Sequence, residues 1–209
     1  LTSFNPNAGK TYNIMNIAAA MSIKPARVVL VDLDLRKASL SKALNVNAVQ
    51  GVSSYLNGDI HDLSSVTVNV AKNLDCIPVG VLPPNPTELL LSDVFPKMVD
   101  ELKERYDYIF IDCPPIEIVA DSAIVTQYVD MTLFVARAGL FDKRLMPKIN
   151  ELYEQNKYKH MCIVLNGVQM EYKPYAKSGN GYGYGYGYGY GYGYGYGNDS
   201  DDSKESNKG

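Results

Sequence analysis

Apolar residues along this chain gather in short continuous runs, and the runs alternate with stretches whose apolar positions recur at helical spacing. The runs are RVVLVDLD (27–34), LDCIPVG (74–80), YDYIFIDCPP (106–115), MTLFVAR (131–137) and HMCIVLNGV (160–168). A β-branched run without polar alternation predicts a strand buried on both faces. Helices are predicted over about 11–23, 86–105, 119–128 and 143–156, and TSFNPNAGK at 2–10 reads as a loop. Strands alternating with helices of this length require right-handed crossovers, so the predicted fold is α/β, a mostly parallel sheet with helices on both faces. Ligands in such folds bind beyond the carboxyl ends of the strands, here just after VVLV, IFI and CIVL.

After Val168 the periodicity stops, and from Ser178 onward there is no aliphatic residue. The chain holds 17 Tyr and 17 Gly but no Trp and five Phe. The excess is local: Tyr182, Tyr184, Tyr186, Tyr188, Tyr190, Tyr192, Tyr194 and Tyr196 alternate with Gly from Gly181 to Gly197. Such a segment buries too little apolar surface to offset its ordering entropy, so 178–209 is predicted to be a disordered tail. Strict alternation also places every Tyr on one face of an extended strand, which leaves a self-associating tail as the rival reading.

Charge divides the same way. Two Lys and four acids after residue 178 give −2 of the total −3, which leaves the body at −1. A near-neutral body predicts no nucleic-acid partner, because that affinity rests on concentrated Lys and Arg. No apolar run reaches the roughly 18 residues that a membrane span needs. Cys76, Cys113 and Cys162 are odd in number and too far apart for a zinc pattern, which points to a reducing compartment. Neither His61 nor His160 sits in a context that suggests a nucleophilic triad.

The chemistry gathers at three places. Asn7-Ala8-Gly9-Lys10-Thr11 opens a predicted helix and matches the end of a phosphate-binding loop, although Phe4 stands where that pattern begins with Gly. In such a loop backbone N–H groups hold phosphate oxygens, Lys neutralises charge and the hydroxyl binds magnesium. Asp32 and Asp34 follow one buried strand and Asp112 another. A carboxylate at such a position needs a partner, and a magnesium–phosphate site supplies one. For Asp34 and Arg36 a local salt bridge stands beside a direct role, and Cys113 reads as a small buried apolar residue.

Together, TSFNPNAGKT, VVLVDLDLR, GVLPPNPTELLLSD, YDYIFIDCPP and the C-terminal tyrosine cluster resemble the bacterial tyrosine kinases of capsule and exopolysaccharide synthesis, which are P-loop ATPases. The resemblance implies a P-loop NTPase-like fold related to the partition ATPases, with ATP and Mg as cofactors. It places Asn7, Ala8, Gly9, Lys10, Thr11 and Tyr12 around the phosphates and Asn166 at the adenine. It implies Lys10, Asp32, Asp34 and Asp112 as catalytic residues, with either Asp32 or Asp34 activating the attacking hydroxyl, and Thr11, Asp32 and Asp112 near the metal. Cell-division and partition ATPases carry a signature lysine near the start of the loop, where this chain has Asn5, and they do not end in tyrosine clusters.

The family loop reads Pro-Gly-Glu-Gly-Lys, and this chain has Pro6-Asn7-Ala8-Gly9-Lys10; Asn tolerates positive φ and so suits the turn. Relatives have a strand before the loop, so residues 1–177 are expected to be an N-terminally incomplete kinase domain, with 178–209 as the autophosphorylation tail. The expected function is trans autophosphorylation within a homo-oligomer. The implied partners are a membrane polysaccharide co-polymerase part, fused or separate, and a cognate tyrosine phosphatase. The implied location is cytoplasmic, at the inner face of the bacterial membrane. The alternative is a nucleotide-binding scaffold whose tail mediates self-association.

Overall fold

The computed structural model describes residues 1–116 and 121–169, so the predicted tail and its eight tyrosines lie outside the described residues. Leu1–Met170 form one compact unit. Four strands share one hydrogen-bonded ladder: β2 (Val28–Asp32), β3 (Val68–Ala71), β4 (Leu74–Ile77) and β5 (Tyr108–Asp112), in the order β3-β4-β2-β5. The other ladder joins β1 (Thr2–Ser3), β6 (Thr132–Arg137) and β7 (Met161–Asn166) in the order β1-β6-β7. All pairings are parallel except β3 with β4. The backbone of β1 also bonds the chain leaving β5, through Cys113 N to Leu1 O at 3.0 Å and Ile116 N to Ser3 O at 2.8 Å. These two bonds carry the sheet across from one ladder to the other.

The reading of residues 2–10 as loop therefore needs correcting at its start, because Thr2 and Ser3 pair with Phe134 and Val135. The strand β1 spans two residues, both buried. Below it, β5 and β6 flank a cavity of about 590 Å³ whose lining includes Tyr108, Phe110, Met131 and Leu133.

The continuous apolar run of β2 is explained by burial on both faces, with every residue from Val28 to Asp32 buried. Val29 and Val31 face one core with Phe95, Met98 and Leu102 of α5 (Val94–Arg105) and Leu89 and Leu90 of α4 (Pro86–Leu91). Val28 and Leu30 face the other, with Ile14 and Ala18 of α1 (Lys10–Ser22). Phe134 packs with Ile149 and Leu152 of α7 (Met146–Glu154) in a third cluster.

Two predicted helices are broken, and proline explains both breaks. The stretch 86–105 divides at Ser92 and Asp93 because Pro96, which has no N–H to donate, is tolerated only in a first turn. Pro147 likewise starts α7, after a short 3-10 turn over Lys143–Leu145. The helix predicted from 119 is described from Asp121 as α6 (Asp121–Val125), followed by a 3-10 turn. Two short helices, α2 (Ser39–Ala43) and α3 (Val52–Leu56), and the antiparallel strand β3 were not predicted. Among the described residues no helix is long and apolar enough to cross a membrane.

Candidate active site

Residues 4–9 connect β1 to α1 in a conformation set by two left-handed residues, Asn7 at φ 59° and Gly9 at φ 93°. Asn7 supplies the turn expected of it. At Gly9 a Cβ would lie 2.2 Å from the Asn166 amide nitrogen, so a side chain there would have to displace Asn166 and hold a left-handed φ that favours glycine. Gly9 is the N-cap of α1, whose first turn contains no acidic residue, an arrangement that suits an anion at the positive end of the helix. Lys10 is buried in that turn and makes no ion pair with the described residues. Tyr12, placed near the phosphates by the resemblance, is an exposed residue of the same turn.

The ends of β2 and β5 place Asp32 beside Asp112 in register. Thr11 Oγ1 donates to Asp112 Oδ2 at 2.7 Å, whereas Oδ1 is buried with no hydrogen-bond partner among the described residues. Burial pushes the Asp112 carboxyl upward, and the Thr11 hydrogen bond and the Lys10 cation oppose it. A buried, unpartnered carboxylate oxygen beside a hydroxyl fits a hard cation with oxygen ligands, as magnesium is. No group of three or more His, Cys, Asp or Glu suited to a metal occurs among the described residues, so a metal here would draw the rest of its shell from water and phosphate.

Asp32 differs, because its oxygens are already met. Oδ2 accepts from Ser41 N at 2.8 Å and Ser41 Oγ at 2.7 Å, and Oδ1 accepts from Asp34 N at 3.2 Å. Burial nevertheless pushes its carboxyl up to about 6, with the Ser41 bonds opposing. Asp34 accepts from Lys37 N at 3.2 Å and Ser39 Oγ at 3.0 Å.

The local Asp34–Arg36 salt bridge does not form. Arg36 instead reaches Asp121, Nε to Oδ2 at 3.5 Å, and Thr87 Oγ1 at 3.2 Å, while Thr87 Oγ1 donates to Asp121 Oδ1 at 2.8 Å. The acid is far in sequence, and the cluster ties the loop after β2 to α4 and α6. Cys113 is buried as expected, and burial pushes its thiol up to about 12, which removes it as a nucleophile.

Asn166 ends β7, where its amide Nδ2 donates to Ala8 O at 2.9 Å. Its strand neighbour Arg137 donates from Nη1 to Asn7 O at 3.1 Å. Of the residues that sequence reasoning passed over, Arg137 carried a signal, a charge at the carboxyl end of an apolar strand, as Asp32 and Asp112 do. Ser41 and Asp121 carried none, since both are short polar residues in short helices.

The sequence matches the AAA domain family over residues 7–161. It is 36% identical over 168 residues to the tyrosine-protein kinase Wzc of Salmonella typhimurium, covering 80% of this chain and 23% of that protein. The chain thus spans under a quarter of the length of that relative. To the tyrosine-protein kinase CpsD of Streptococcus agalactiae it is 34% identical over 183 residues, 86% of this chain and 79% of that protein. The kinase domain of the Escherichia coli tyrosine kinase ETK superposes with a TM-score of 0.73 at 32% identity, covering 88% of this chain and 70% of that one. The fold alone is shared with the septum site-determining protein MinD of Pyrococcus horikoshii, solved with Mg-ADP, at 22% identity and a TM-score of 0.63 over 78% of this chain and 67% of that one. The fold is thus P-loop NTPase-like, and the chain belongs to the AAA domain family and, within it, to the bacterial tyrosine-protein kinases.

Proposed function

We propose that this chain transfers the γ-phosphoryl group of ATP to tyrosine hydroxyls, with Tyr182–Tyr196 of a second copy as acceptors. The observation that carries this reading is the pairing of Thr11 with Asp112 at the start of α1, where one carboxylate oxygen is buried without a partner among the described residues. Residues 1–177 are the catalytic part in this reading and 178–209 the acceptor tail.

Phosphoryl transfer asks little covalent chemistry of the protein, only charge, alignment and an oriented hydroxyl. The N–H groups of residues 7–11 bind the β- and γ-phosphates and Lys10 offsets their charge. Thr11 and Asp112 hold magnesium, which neutralises charge on the phosphate oxygens when bound. Asp34 orients the acceptor tyrosine. Its phenolic oxygen bonds to the γ-phosphorus, the bond to the β,γ-bridging oxygen breaks and leaves its electron pair on ADP, and the phenolic proton passes to the Asp34 carboxylate. Asp32 is assigned a supporting role because Ser41 and the Asp34 amide already occupy it. Asn166 stays near enough to the loop to border the adenine.

Residues 179–209 behaving as a flexible coil would have an end-to-end distance of roughly 30 Å, enough to reach a neighbouring subunit. Eight phosphates would add roughly −12 to −16 to a net charge of −3, so repulsion would favour dissociation of the oligomer. That switch would regulate capsular or exopolysaccharide synthesis and export, at the inner face of the membrane, through a co-polymerase part and a cognate phosphatase. Mass spectrometry after incubation with ATP and magnesium tests this. Phosphate on tail tyrosines of the parent and none in Lys10→Met is expected. Unmodified tyrosines, with tail-dependent association intact in both, would instead support the scaffold.

A further inference from the structure

Arg137 and Asn166 are register partners that end the neighbouring parallel strands β6 and β7, and Ala138 N donates to Asn166 O at 2.8 Å beside them. Their side chains grip consecutive carbonyls of one loop. Arg137 Nη1 donates to Asn7 O at 3.1 Å, and Asn166 Nδ2 donates to Ala8 O at 2.9 Å. In a trans peptide the carbonyl of one residue and the N–H of the next point in opposite directions. Fixing Asn7 O toward Arg137 therefore turns the Ala8 N–H away from it, and fixing Ala8 O toward Asn166 does the same for the Gly9 N–H. Among the described residues, no backbone carbonyl accepts from the N–H groups of Ala8, Gly9 or Lys10. The left-handed φ values of Asn7 and Gly9 suit a concavity of successive N–H groups that binds anions.

The path of the Arg137 side chain runs close over the backbone at Gly167. Gly167 lies under its aliphatic part, where a Cβ would come within 3.3 Å of Arg137 Cγ. The guanidinium thus spans from the end of β6 to a loop 130 residues earlier in the chain.

We infer that Arg137 is a positioning residue for the phosphate loop. Together with Asn166 it holds the Ala8 and Gly9 N–H groups toward the phosphates before the nucleotide arrives, without touching the nucleotide itself. This inference rests on the reading of the loop as a nucleotide site. A loop ordered in advance loses less entropy on binding, so the clamp adds affinity for the phosphate part and none for the nucleoside.

Titration calorimetry of the whole chain with ADP, pyrophosphate and adenosine, with thermal unfolding in parallel, tests this. In Arg137→Met the affinities for ADP and pyrophosphate are expected to fall by about tenfold, the scale of one hydrogen bond from a charged donor. The adenosine affinity is expected not to change, and Arg137→Lys, which keeps a donor on a flexible stem, is expected to recover part of the loss. The melting temperature of the nucleotide-free Arg137→Met chain should stay within about 2 °C of the parent, because the residue is exposed. Equal ADP binding by parent and Arg137→Met would overturn the clamp alone. So would an equal loss for adenosine, or a Lys variant no better than the Met variant. No ADP binding by the parent would overturn the nucleotide reading, and the clamp with it.

Discussion

Asp32 and Asp112 stand side by side in register at the ends of β2 and β5, but the protein meets their charge differently. Both Asp32 oxygens are occupied, by Ser41 and by the Asp34 amide, whereas Asp112 keeps Oδ1 buried and, among the described residues, unpartnered. The first carboxylate organises the loop after β2. The second has an oxygen that no described residue meets, at the position proposed for magnesium.

Asp112→Asn follows from this directly. Asparagine keeps an acceptor for Thr11 but loses the charge facing the proposed metal. Phosphoryl transfer is expected to fall on the order of 100-fold or more. The melting temperature without nucleotide should hold or rise, because an uncompensated buried charge is removed. Kinase assays over a magnesium titration, run beside thermal unfolding, check both halves.

The pH dependence of stability has a definite sign. Burial pushes Asp32 up to about 6 and raises Asp112 as well. A carboxyl whose pKa is higher folded than unfolded binds its proton more tightly in the fold. The stability it adds is therefore complete below the ordinary carboxyl value of about 4 and lost as pH rises through about 6. The nucleotide-free chain should melt higher at about pH 5 than at about pH 7, and Asp32→Asn should flatten that slope. An unchanged slope in Asp32→Asn would contradict the assignment.

The Arg36–Asp121 pair predicts a non-additive cycle. Asp121 is 2% exposed, so removing only its cation leaves a buried carboxylate with Thr87 as its remaining donor among the described residues. Arg36→Met is expected to cost about 1–2 kcal/mol in urea unfolding, discounted because Arg36 is partly solvated. The double variant Arg36→Met with Asp121→Asn should cost less than the sum of the two single changes.

Gly51 tests a backbone crossing beneath the site. A Cβ there would lie 2.2 Å from Pro78 O and 2.5 Å from Gly80 N, while one at Gly58 would meet nothing within 4 Å. Gly51→Ala should cost about 3 kcal/mol or more, because the chain must move apart. Gly58→Ala meets only the strain of its φ of +82° and should cost about 1 kcal/mol. Chemical denaturation that ranked the two equally would contradict the crossing.

VVLVD and YIFID were legible as strands because nothing polar interrupts them before their closing acids, but only β2 is buried on both faces. The strand β5 was expected to be and is not, since Tyr108 is exposed and Ile109 and Phe110 are half-buried beside the cavity. The phosphate loop was legible from Gly9, Lys10 and Thr11. Elements that depend on a distant partner were not. The two-residue β1 exists only because β6 and the chain after β5 complete its bonds, and β3 only because β4 does. Pro96 and Pro147 did announce helix starts, and they were passed over because the apolar periodicity runs on through both. In the candidate site, the strand-end positions of the acids were legible but their hydrogen-bond partners were not. Those of Asp32 depend on where Ser41 lies, nine residues beyond it.

The central claim, transfer to the tail of a second copy, is tested most directly by mixing two chains. One is the Lys10→Met chain with its tail intact, and the other is the parent chain cut after residue 177. With ATP and magnesium, mass spectrometry should find phosphate on Tyr182–Tyr196 of the Lys10→Met chain only when the shortened chain is present. Tail tyrosines that stay unmodified in the mixture, while the shortened chain still hydrolyses ATP, would contradict the claim.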